Sequence, residues 1–293
     1  MMKAKARGAD IRMVYSAADA LKIARQQPER EVVFFAIGFE TTTPPTAMAL
    51  KLAEKKGLTN FSIFCSHVLT PSAIRAILEA PATGKLPPVK IQGFIGPAHV
   101  SVVIGSKPYA TFVEEFGQRI VVSGFEPLDV MQSVLMLVRQ VNEGRAAVET
   151  QYIRAVTPEG NVQAQALCDE VFELRDAFEW RGLGSIERSA LKLNDAYAKY
   201  DAETRFEVKR IEASDNPACE CGTILIGAKQ PADCRLFGTV CTPETPMGSC
   251  MVSSEGACAA HWTYGRFRDK AKREERSEEH TSELQSQFRI SYA

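Results

Sequence analysis

The chain has 293 residues, 45% of them hydrophobic, with 35 basic and 36 acidic side chains for a net charge of −1. That is enough for a real core in one large or two to three smaller domains. The charge balance leaves no basic stripe for nucleic acid, no run approaches the ~20 apolar residues of a membrane span, and the polar start MMKAKARGAD is not a secretory signal.

From residue 11 to about 143, short apolar runs alternate with amphipathic stretches. Ile11–Tyr15 reads as a strand and Ala17–Gln26 as a helix. The near-continuous apolar run Glu31–Ile37 reads as a strand covered on both faces. A helix over Pro44–Lys55 follows, with prolines in its first turn and Thr42 or Thr43 as cap. The alternation continues with strand Phe61–Cys65, helix Pro71–Glu79, strand Lys90–Phe94, a short helix over His99–Ile104, strand Arg119–Ser123 and helix Pro127–Val141. Such alternation predicts an α/β fold with parallel sheets flanked by helices. Beyond Arg145, Asn161–Leu174 has helical spacing and Trp180–Gly184 reads as a turn. Past Asp215 the chain is rich in Gly, Pro and Cys with little periodicity, so something other than an apolar core must hold it.

One design occurs twice: an apolar strand, then Gly38-Phe39-Glu40 or Gly124-Phe125-Glu126, then a proline-led helix. Each can be a helix start with a carboxylate near the positive dipole end. Each can also be a ligand-facing strand end, because open α/β sheets bind ligands at the carboxyl ends of their strands. Two more strands end in Cys65-Ser66-His67 and Gly96-Pro97-Ala98-His99. Glu40, His67, His99 and Glu126 are thereby expected along one edge.

Six of the eight cysteines fall between Cys219 and Cys258, and Cys221, Cys234, Cys241 and Cys258 follow the spacing C-x12-C-x6-C-x16-C. Without a secretory signal, metal binding is a better reading than disulfides. Four thiolates suit tetrahedral zinc or an iron–sulfur cluster, and the scarcity of close cysteine knuckles favours the cluster. Cys219 and Cys250 receive no role, and Cys65 and Cys168 read as buried inert thiols.

The strings AKARGAD, GFETT, GPAHVS, GFEPLD, EWRGLG and MVSSEGACAA, together with the cysteine spacing, carry a resemblance. From Lys3 to about Tyr264 the chain resembles the HypD family of hydrogenase formation proteins, which help to assemble the iron centre of [NiFe]-hydrogenases. The resemblance implies Rossmann-like α/β domains, the first incomplete, and a small irregular C-terminal domain with a [4Fe–4S] cluster. It implies Cys221, Cys234, Cys241 and Cys258 as cluster ligands. It makes Glu40, Thr41, Thr42, His67, His99 and Glu126 candidates for the cleft where iron with cyanide and CO ligands is held transiently. Implied partners are a HypC-type chaperone and a HypE-type cyanide donor, in the cytoplasm, with no nucleic acid and no membrane. The protein is then a maturation scaffold with redox capacity rather than a turnover enzyme.

The family's N-terminal Cys-Gly-Gly-His-Thr-His and Gly-Pro-Gly-Cys-Pro-Val-Cys motifs do not occur here, which suggests a fragment. The run Arg276–Ser286 resembles a translated sequencing adapter, so 276–293 is expected to be non-native. The expected domains are 1–30, a remnant of the first α/β domain; 31–145, an α/β domain with the cleft motifs; and 146–275, with the four-cysteine site. Two other readings stay open: a hydrolase or transferase using Glu40, His99 and Glu126 as acid/base groups, and a zinc-stapled interaction module.

Overall fold

A computed structural model of the chain describes residues 2–80, 87, 91–180, 182–208 and 216–265. Lys90, Arg181, Asp215 and the expected tail 276–293 lie outside them. The chain forms two compact units, one of Met1–Lys85 with Val89–Glu212 and one of Leu86–Pro88 with Ala213–Ala293.

In the first unit, α1 (Met2–Ala6) and α2 (Ala17–Gln26) precede β1 (Val32–Gly38), α3 (Thr43–Lys55), β2 (Phe61–His67) and α4 (Thr70–Glu79). Next come β3 (Phe94–Pro97), α5 (Ala98–Ile104), α6 (Ala110–Phe116), β4 (Ile120–Ser123), α7 (Pro127–Asn142) and β5 (Val148–Thr150). β1 pairs in parallel with β2 from Val32↔Phe61 to Gly38↔His67, and β3, β4 and β5 form a second parallel sheet. The α/β class with parallel sheets flanked by helices is therefore observed. α8 (Val162–Val171) is followed by β6 (Phe172–Leu174), β7 (Ala177–Trp180), β8 (Gly184–Glu187), β9 (Leu191–Leu193) and α9 (Ala202–Arg205). β6 pairs with β9 and β7 with β8, both antiparallel. Trp180–Gly184 spans the turn between β7 and β8, as expected.

Ile11–Tyr15 departs from the expectation, because no strand forms there. A strand needs a ladder partner, and among the described residues β1 is paired only with β2. The two-face burial expected for Glu31–Ile37 fails for the same reason: Val33, Phe35 and Ile37 are exposed while Ala36 is buried. These side chains and residues Asp10–Ala17 line an open cleft of about 700 Å³, whose inner end reaches Thr41, Thr42, Thr46 and His67. The strand expected at Lys90–Phe94 instead occupies Phe94–Pro97, and Asn161–Leu174 divides into helix α8 and strand β6. Asn161 caps α8 by accepting the Ala164 N–H at 3.0 Å.

One core lies between α2, α3 and the β1–β2 sheet, around Leu21, Leu50, Phe61 and Ile63. A second surrounds Tyr109, Phe112, Ile120 and Val122. Asn60 ties the first together, its amide donating to the carbonyls of Ala24, Gln27 and Arg30 at 2.9 Å each.

Among the described residues the second unit has the short helices α10 (Cys221–Leu225), α11 (Ser249–Val252) and α12 (Ala257–Tyr264). Its core is itself made of cysteines, with Ile224, Met251 and Ala259 among them. Among the described residues no helix is long and apolar enough to cross a membrane.

Candidate functional site

The candidate residues expected on one edge stand on two sheets. At the β1–β2 edge, Gly38 has φ +140°, and a Cβ there would strike the Thr42 hydroxyl. The tight turn brings Thr42 Oγ1 to 2.8 Å from the Phe39 carbonyl and 3.2 Å from His67 Nδ1. Thr46 Oγ1 lies 3.1 Å from the other ring nitrogen. His67 is buried, and burial pulls its pKa down to about 4. Its ring is neutral at pH 7 and makes a polar clamp between two helix-start threonines. Thr41 lines the cleft next to them.

Glu40 is also buried, but it faces the start of α4. One carboxylate oxygen accepts the Thr70 N–H at 2.7 Å and the other the Thr70 hydroxyl at 2.8 Å. Burial raises its pKa, and the Thr70 bonds oppose the rise. This carboxylate holds the first turn of a neighbouring helix, the placement the positive helix end favours.

At the edge of the second sheet, His99 begins α5 and its ring lies 5.0 Å from that of Phe125. Glu126 is exposed and pairs with Arg154 at 3.3 Å. Arg154 is anchored more firmly on buried Asp129, at 2.7 and 3.0 Å, and lies over the Tyr152 ring at 3.9 Å. Among the described residues no hydrogen bond or ring contact joins the His67 and His99 groups. Thr46, Thr70, Asp129 and Arg154 escaped the sequence reading. The first three sit in the first turns of helices and Arg154 in an irregular segment, and spacing does not show which distant group each of them meets.

In the second unit, Cys219, Cys221, Cys234, Cys241 and Cys258 line one small space with Ile224, Leu236, Phe237 and Met251. The Sγ atoms of Cys219 and Cys221 are 3.3 Å apart, and the Cys250 N–H points at Cys221 Sγ from 3.5 Å. The four expected cysteines are thus brought together, with Cys219 as a fifth. Glycine is required beside them: a Cβ on Gly248 would overlap Cys219 Sγ and come within 2.6 Å of Cys221 Sγ. Contact with Cys250 and burial raise the Cys221 thiol, and burial pushes Cys219 up to about 12. Without a cation these thiols stay protonated. Five soft donors in a mainly apolar lining that also holds the Glu220 carboxylate, with a glycine cradling two of them, fit the chemistry of an iron–sulfur cluster. The space is about 10 Å³, and among the described residues no three donors converge on one ion.

The HypD family profile, described as "Hydrogenase formation hypA family", matches residues 1–265. The chain belongs to the HypD family. It is 66% identical over 273 residues to the hydrogenase maturation factor HypD2 of Bradyrhizobium diazoefficiens, covering 93% of this chain and 72% of that protein. It is 68% identical over 272 residues to the hydrogenase maturation factor HypD of Rhizobium leguminosarum bv. viciae, covering 93% and 71%. With the HypD of Escherichia coli K12 the identity is 45% over 271 residues, covering 92% and 71%.

Proposed function

We propose that this protein acts in [NiFe]-hydrogenase maturation as a scaffold on which an iron with cyanide and CO ligands is assembled. The single observation that carries the reading is the five-thiol pocket of the second unit in a chain of the HypD family. Cys221, Cys234, Cys241 and Cys258 would hold a [4Fe–4S] cluster, with Cys219 as the alternative to Cys221. The cluster would supply electrons to the assembly chemistry.

The chain's other residues have simpler work. His67, neutral and clamped by Thr42 and Thr46, fixes the strand end where Thr41 meets the cleft. His99, Phe125 and Glu126 offer a second polar and aromatic edge. The iron fragment is cargo, brought and removed by partners, a HypC-type chaperone and a HypE-type cyanide donor in the cytoplasm.

A hydrolase using Glu40, His99 and Glu126 is disfavoured by geometry. Glu40 is committed to Thr70, while Glu126 is bound to Arg154, and among the described residues no hydrogen bond joins the two carboxylates. Co-purification with a HypC-type chaperone tests the scaffold reading. A stable complex is expected; no binding at micromolar concentrations would contradict it.

A further inference from the structure

Glu220 lies between Cys219 and Cys221, so it neighbours a ligand whichever of the two binds the proposed cluster. It precedes α10 as the cap residue, yet its side chain makes no capping bond there. One carboxylate oxygen pairs with the Lys229 ammonium. The other, Oε2, is buried and finds no partner at ordinary hydrogen-bonding geometry, although the Cys234 thiol of the same lining also interacts with the carboxylate. A salt bridge that served only as a staple would leave neither oxygen bare, because a buried acceptor without a donor costs stability. The pair is also oriented. Glu220 lines the space around the sulfurs and Lys229 does not, so the negative end faces the thiols. Apart from the cysteines, Glu220 is the one ionisable side chain among the described residues of that lining. The backbone N–H groups of Met247 and Cys250 supply the opposite polarity, pointing at Cys241 Sγ from 3.4 Å and Cys221 Sγ from 3.5 Å.

We propose that Glu220 tunes the cysteine site, its carboxylate holding the proposed cluster at a lower reduction potential than the thiolates alone would give. The inference rests on the cluster reading above. Reduction adds one electron, and with it one negative charge, to a site already made of thiolates. A fixed anion in the same partly dehydrated lining opposes that charge more strongly than it would in water. Charge and hydrogen bonds around the sulfurs are what set such potentials. A lower potential makes the reduced site the stronger electron donor, which is the role proposed for it. Lys229 holds the carboxylate in place and offsets part of its charge. Glu220 is also a third exposed, so water screens part of the effect.

Redox titration of the anaerobically purified full chain tests this, with dithionite as the reductant and the reduced cluster followed by electron paramagnetic resonance. Glu220→Gln should raise the midpoint potential, so that the reduced-to-oxidised ratio at a fixed potential climbs tenfold, a shift of about 59 mV for one electron. Lys229→Met should lower the midpoint. Iron and sulfide contents equal to wild type are expected in both variants, which separates a change of potential from damage to the site. Unmoved midpoints in variants that keep their iron would overturn the inference and leave the cluster reading standing. A wild-type chain that holds zinc and no iron would overturn both. If Glu220→Gln loses its iron, Lys229→Met decides: a lowered midpoint supports the inference and an unchanged one overturns it.

Discussion

His67 Nδ1 and the Thr42 hydroxyl are 3.2 Å apart, and that hydroxyl also lies 2.8 Å from the Phe39 carbonyl. Thr46 is placed in the same way, 3.1 Å from Nε2 and 2.9 Å from the Thr42 carbonyl. A neutral imidazole has one N–H, so one threonine must turn its proton from its carbonyl to the bare ring nitrogen. The strand end of β2 and the start of α3 are thereby locked by one histidine.

This predicts a pH dependence. His67 in the fold has a pKa of about 4, against about 6.5 when unfolded. As pH falls from 6.5 towards 4 the unfolded chain takes up a proton that the fold refuses, so stability drops with falling pH, by about 3 kcal/mol in all. Denaturant melts at pH 7 and pH 4.5 should show most of that loss, and His67→Gln should shrink it. An equal loss in the variant would assign it to other groups.

Glu40 should behave as a structural carboxylate. Glu40→Ala leaves the first turn of α4 without its two Thr70 bonds, and is expected to lower stability by about 1–3 kcal/mol. A variant of unchanged stability that is nevertheless inactive in maturation would show that Glu40 acts on cargo.

Arg154→Met should also be costly. It strips buried Asp129 of a two-pronged charge-assisted partner and leaves it the Gln151 amide and the Glu126 backbone N–H. About 2 kcal/mol is expected, since an uncompensated buried carboxylate is the main loss. Asp129→Asn with Arg154→Met should recover part of it, as read by thermal denaturation.

Gly248→Ala isolates the second unit. The added methyl overlaps Cys219 Sγ, an overpacking cost of about 1–3 kcal/mol. Reduced iron retention is expected with little change in His67-dependent stability. Full iron retention would mean that Gly248 is not needed as a cradle.

The α/β alternation was legible because parallel strands announce themselves as apolar runs, and helices Ala17–Gln26 and Pro127–Asn142 by periodicity and proline starts. The cysteine pocket was legible by spacing, and the GFETT and GFEPLD strings by their glycines. The partner of Glu40 was not. Thr70 lies 30 residues away, and no local pattern shows which helix end a carboxylate will reach. Ile11–Tyr15 failed for a similar reason: strand propensity is local, but a ladder needs a neighbour. The separation of the candidate residues onto two sheets was equally hidden, because strand order is not written in strand composition.

The most direct test of the account is the iron and acid-labile sulfide content, with the visible spectrum, of the anaerobically purified chain and its Cys234→Ala variant. About four irons and four sulfides per chain with a broad brown absorption, lost in the variant, are predicted. One zinc per chain without colour would contradict the electron-supplying cluster and leave the cysteines as a structural staple.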